Sequence, residues 1–129
     1  MILETTMNNS KLLSTSLQHW VNARIDREAK IFIEVGQSAM VSAETEISFG
    51  EISKDEYSKA GKGNKSLAQI ALWHYEKGLA RFQEAIANFE HAKTFPIPPK
   101  YREYIESNLK KCAEQTKSTF NRKSELFTA

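Results

Sequence analysis

The stretch "SLAQIALWHYEKGLARFQEAIANFEHA", residues 66–92, decides the fold. Ala68, Ala71 or Leu72, Tyr75, Leu79, Phe82, Ile86 and Phe89 recur at steps of three and four, the spacing that gathers side chains on one face of an α-helix. Ser66 with Gln69 has the form of a capping box and marks a helix start. Ile70, Trp73, Ala80 and Ala87 form a second, smaller stripe on another face, so this helix is expected to be central, with neighbours or a partner on two sides. Trp73, His74 and Tyr75, adjacent in sequence, point to different sides of one cylinder.

Downstream, "TFPIPPK" at 94–100 holds all three prolines and predicts a short, stiff turn with a proline in the first turn of the next helix. Tyr101, Ile105, Leu109, Cys112, Thr116 and Phe120 then trace the apolar face of a last helix that fades near Asn121, and Leu126 and Phe127 belong to a tail over 124–129 that folds back. Upstream, residues 1–9 have no period and read as an unstructured lead-in ending at Asn9 or Ser10, either of which can cap a helix. Leu13, Leu17, Trp20 or Val21, Ile25, Phe32, Val35, Ala39, Met40, Ala43 and Ile47 then spell one long helix, or two divided at Gly36. Residues 48–66 carry three of the five glycines and four lysines, and read as a connector with one short helix over 54–60 opened by Ser53 and Glu56. The expected fold is all-α, an antiparallel bundle of three to four helices forming one domain over residues 10–123.

Composition narrows function mainly by exclusion. Within 129 residues, 18 Lys and Arg stand against 16 Asp and Glu, far from the cationic excess of a dedicated nucleic-acid binder. Cys112 is the only cysteine, so no intramolecular disulfide forms, which fits a reducing compartment. The N-terminus lacks a basic and apolar leader, and no stretch approaches the roughly 20 apolar residues of a bilayer span, so an unprocessed cytoplasmic protein is expected.

Candidate chemistry is sparse. "GKGNKS", residues 61–66, has the flavour of a phosphate-binding loop, but Lys59 and Asn64 stand where glycines are required and no strand precedes it. His19, His74 and His91 lack a ligand placed three or four residues away in a metal pattern, so no metal and no cofactor are expected. Cys112 lies in register with Ile105 and Leu109, where a thiol acts as a small hydrophobe, although Lys110 and Lys111 precede it. Residues 100–129 are mildly basic, seven cations against four anions, which a solvated helix face explains.

From Lys30 onward the chain resembles the MIT domain, a three-helix, TPR-like module of ESCRT-linked trafficking proteins. The likeness runs through "EAKIFIEVGQSAMVSAETE", "DEYSKAGKGNKSLAQIALWHYEKGLARFQEAI" and "YREYIESNLKKCAEQTK", over about residues 28–123. The family's turn and second-helix pattern is followed through Lys59, Ala60, Gly61, Ala71, Trp73, Tyr75, Lys77, Gly78 and Ile86. "EAIANFEHA" is also similar to the second helix of a TPR unit, and "IPPKYREYIESNLKKCAEQ" to a stretch of the Bro1 domain. These resemblances imply a scaffold without a catalytic centre. The MIT likeness implies that a groove between residues 66–94 and 99–123 receives a partner helix, ESCRT-III-like tails included, over Trp73, Lys77, Tyr104, Asn108 and Lys111.

The expected function is therefore non-enzymatic binding of a helical or acidic peptide of a partner protein. A small helical inhibitor or immunity-type protein that neutralises one partner has the same size and the same lack of catalytic groups. A third reading is weak binding of RNA or an anionic membrane through the basic last helix. Homodimerisation stays open, because faces that close a monomer core and faces that close a dimer use the same residue types.

Overall fold

A computed structural model describes the chain over residues 2–61 and 63–127, with side chains described from Gln18 onward except at positions 20 and 62. Three helices account for it: α1 (Ile2–Lys59), α2 (Lys65–Lys93) and α3 (Pro99–Glu125), and no strand occurs among the described residues. The all-α bundle expected from periodicity is what forms.

Helix α1 is longer than its sequence pattern indicates. Its 58 residues run for about 87 Å at 1.5 Å per residue. The lead-in expected over 1–9 is helical from Ile2, Gly36 does not divide the helix, and the short helix expected over 54–60 is simply its last turns. The connector expected over 48–66 shrinks to residues 60–64. Ala60 N–H donates to the Glu56 carbonyl at 3.0 Å, and Gly61 takes the left-handed φ of 72° that stops a helix. The N-cap of α2 is Asn64 rather than Ser66: its side-chain oxygen accepts from the Ser66 N–H at 3.1 Å. Between α2 and α3 the prolines act as expected, with Pro98 capping and Pro99 opening α3.

The three glycines inside helices explain why the chain does not break at them. α1 and α2 run antiparallel, and each glycine is a seat for a side chain of the other helix. Phe89 lies over Gly36, Tyr75 over Gly50 and Ile47 over Gly78, each so near that an added Cβ would meet it at 2.8, 2.8 and 2.4 Å. Tertiary packing thus outweighs the roughly 1 kcal/mol helix penalty of each glycine. Ala39, Ala43, Ala71, Ala85 and Ala92 extend this small-residue interface, and the fully buried Tyr75, Phe82 and Phe89 fill it.

α3 packs antiparallel on α2, in a register set by Lys93–Glu106 at 2.6 Å and Lys123–Glu76 at 3.4 Å. Ile105 and Cys112 reach the core, and Leu126 packs onto it, but Phe127, expected to fold back with it, is 64% exposed, and α3 runs to Glu125 instead of fading near Asn121. Several positions expected in the apolar stripes lie outside: Val21, Val35 and Phe120 are 39%, 46% and 49% exposed, Ile70 and Trp73 of the second α2 stripe 45% and 55%, and Thr119 is buried in place of Phe120. Thr119 manages this by donating its hydroxyl to the Gln115 carbonyl at 2.7 Å. Of the stripe expected on α1, the side chains of Leu13, Leu17 and Trp20 lie outside those described, and Ala29 is the first buried side chain. Phe32 meets His91 near the end of α2, at 4.1 Å between ring centres, so α1 continues N-terminally past the end of the other two helices.

Candidate functional site

The five residues expected to form one groove fall into two groups. Trp73 and Lys77 share one turn of α2, with the ammonium 4.3 Å from the indole ring centre. Beside them Glu46 of α1 is bonded by His74 Nδ1 at 2.7 Å and by Lys77 Nζ at 3.4 Å, and Phe49 and Trp73 flank the His74 ring. The His74 contact, and secondarily Lys77, holds the Glu46 carboxyl below the usual carboxylate range. His74 therefore serves as a strut between α1 and α2.

Tyr104 and Asn108 belong to a different region. Tyr104 is 40% exposed and its hydroxyl is bonded by Gln37 of α1. Asn108 is buried, and its side-chain amide donates to the Tyr104 carbonyl at 2.8 Å. Lys111 is exposed one turn further along α3. In the α2–α3 register Tyr104 lies near the level of Lys93, so Trp73 is about 30 Å away along the bundle, twenty residues at 1.5 Å each. No single ligand helix of modest length covers both groups on one side.

What Tyr104 does line is a cleft between α1 and α3. These two helices are joined chiefly by long polar side chains: Gln37 to Tyr104, Arg122 to Glu51 at 3.2 Å, and Lys54 to Glu125. Between the struts the cleft opens twice. One opening of about 420 Å³ is bounded by Lys30, Ile33, Glu34, Gln37, Lys100, Tyr101 and Tyr104. The other, about 240 Å³, is bounded by Glu44, Ile47, Ser48, Phe82, Gln115, Ser118, Thr119 and Arg122. Lys30 and Lys100 both lie over the Tyr101 ring, 5.8 and 5.6 Å from its centre. Lys30 also pairs with Asp26 at 3.0 Å, and that hydrogen bond raises its pKa, so it stays cationic. In the second opening the side-chain oxygen of Gln115 is buried with no protein donor in reach.

Of the residues expected to bind a partner, then, Tyr104 lines this cleft, Asn108 bonds the Tyr104 carbonyl, Lys111 is exposed further along α3, and Trp73 and Lys77 lie elsewhere. Lys30, Gln37, Tyr101 and Gln115 were missed. A signal existed: Lys30, Glu34, Gln37, Glu44, Ser48 and Glu51 form a polar stripe on α1 at steps of three, four and seven, beside the apolar one.

The residues weighed for other chemistry are placed as follows. Cys112 is fully buried, and burial pushes its thiol pKa up, away from a reactive thiolate. Among the described residues no three His, Cys, Asp or Glu side chains are grouped to hold a metal ion, and no helix is long and apolar enough to cross a membrane. No family model matches this chain, and neither a curated protein nor a solved structure matches it.

Proposed function

We propose that this chain is a non-catalytic interaction module of the MIT-like kind, and that the cleft between α1 and α3 binds an acidic peptide segment of a partner protein. The carrying observation is the opening at Tyr101 and Tyr104, where the exposed Tyr104 ring stands beside a half-buried Tyr101 ring overlain by two lysines. Rings supply contact area at small entropic cost, and the lysines supply attraction for carboxylates.

Two observations favour this over the other readings. Burial of Cys112 and the engagement of His74 by Glu46 leave these two side chains poorly placed as nucleophile or base. Arg122 and Lys123 on the basic last helix are held in ion pairs with Glu51 and Glu76, which weakens the case for α3 as an RNA or membrane surface.

The test is selection of a displayed peptide library on the folded protein. Enrichment of acidic sequences carrying an aromatic or leucine anchor is expected, with binding lost in Lys30→Glu/Lys100→Glu and in Tyr104→Ala, and kept in Trp73→Ala. No enrichment, or binding that depends on Trp73 and not Tyr104, contradicts the proposal.

A further inference from the structure

The face of α1 turned away from its core carries a second pattern, although one member of it, Phe49, also touches the His74 ring of α2. Positions 31, 35, 38, 42, 45, 49 and 52 alternate steps of four and three, the heptad spacing of a helix-pairing seam. They hold Ile31, Val35, Ser38, Ser42, Thr45, Phe49 and Ile52, and the four large ones are 46–56% exposed. Val41, on the shoulder of the seam, is 64% exposed. Every charged residue of α1 between 29 and 55 lies off this line, and charge returns at the next seam positions, Glu28 and Arg24 on one side and Glu56 on the other. An uncharged strip about 30 Å long on an otherwise charged surface is a candidate contact surface.

We propose that this strip docks a second copy of this chain, with the two α1 helices antiparallel about a two-fold axis near Met40. The order of side chains selects that occupant. In this register Ile31 of one copy meets Phe49 of the other, Val35 meets Thr45, and Ser38 meets Ser42. Branched and aromatic groups thus face one another on either side of the axis and small groups meet in the middle, while the outer Ile52 of each copy lies opposite Glu28 of the other. At the ends Arg24 of each copy, paired to Glu28 of its own helix at 3.3 Å, stands level with Glu56 of the other. A parallel pairing sets Glu28 against Glu28 and Glu56 against Glu56, so charge favours the antiparallel arrangement. Near the axis Val41 approaches its own equivalent, and Thr45 brings little polar cost because its hydroxyl already donates to the Val41 carbonyl at 2.9 Å. The interface is a single helix face, and the dimer is expected to be concentration-dependent. The strip lies apart from the Tyr101 opening, and the inference does not rest on peptide binding.

Sedimentation equilibrium of the full chain over a concentration series tests this. The mass is expected to rise from the 14.7 kDa of one chain toward twice that value. Val35→Glu and Thr45→Lys are each expected to weaken association about tenfold or more, a factor equivalent to ~1.4 kcal/mol. The double variant regains it, because each Glu at 35 then faces a Lys at 45 of the other copy. Ile31→Glu with Phe49→Lys forms a second, independent pair, and circular dichroism checks that helicity persists. A mass that stays at one chain at the highest concentration overturns the proposal. So does association indifferent to both single changes, association not regained in either double variant, or a different protein occupying the strip while this chain stays monomeric.

Discussion

The Tyr75 ring lies across Gly50 of α1 and its hydroxyl donates to Oε1 of Glu51 at 2.8 Å, so one side chain fixes both the spacing and the register of α1 on α2. Glu51 is in turn held by Arg122 of α3 at 3.2 Å, which ties the third helix to the same point. The ring is fully buried and pinned at its far end, and it has little room to retreat.

Gly50→Ala therefore destabilises the fold even though alanine is the better helix former. Overpacking costs about 1–3 kcal/mol against a propensity gain of about 1, and the pinned ring sets the cost toward the upper end, leaving a net loss of about 1–2 kcal/mol. Gly36→Ala, against the Phe89 ring, behaves alike. Gly78→Ala costs less, because the first atom met is the mobile end of Ile47. Urea unfolding of the three variants checks the order; a Gly50→Ala protein more stable than the parent contradicts it.

Glu46 makes stability depend on acid. Its carboxyl is held below the usual value by the His74 hydrogen bond first and by Lys77 second. The unfolded chain takes up that proton more readily, so the stabilisation is complete above the ordinary glutamate pKa of about 4.3. It is lost as pH falls through the lower folded value. Glu125 shifts in the same direction through Lys54, but it is exposed and screened by salt. Glu46→Gln should lower the melting temperature at neutral pH and flatten its decline between about pH 5 and 3. Parallel melting curves for the two proteins across that range argue against the strut.

Cys112 should be silent until the bundle opens. It is fully buried, with its thiol pKa raised by burial. A thiol reagent is expected to leave the native protein unmodified and to label one site per chain in denaturant. Rapid labelling of the native protein at neutral pH contradicts the assignment of Cys112 to the core.

The sequence makes α2 legible because its stripe is regular, and it makes the 94–100 turn legible because proline acts locally. Its account of α1 fails at Gly36 and Gly50. A glycine that breaks a helix and one that seats an aromatic ring look the same in sequence, and the rings, Phe89 and Tyr75, lie 53 and 25 residues away. Trp73 is conspicuous by type and Tyr104 by position, yet whether they share a groove depends on the α2–α3 register. That register is set by Lys93–Glu106 and Lys123–Glu76, which periodicity does not reveal. Val35 is apolar and near the core spacing, yet it lies outside the core and is 46% exposed.

The most direct test of the central claim is a backbone and indole NMR titration of the isotope-labelled chain with an acidic peptide selected on it. Shifts confined to Lys30, Gln37, Tyr101, Tyr104 and Gln115, with the Trp73 indole unmoved, are the result expected of a cleft between α1 and α3. Shifts centred on Trp73 and Lys77, or none at saturating peptide, would contradict it.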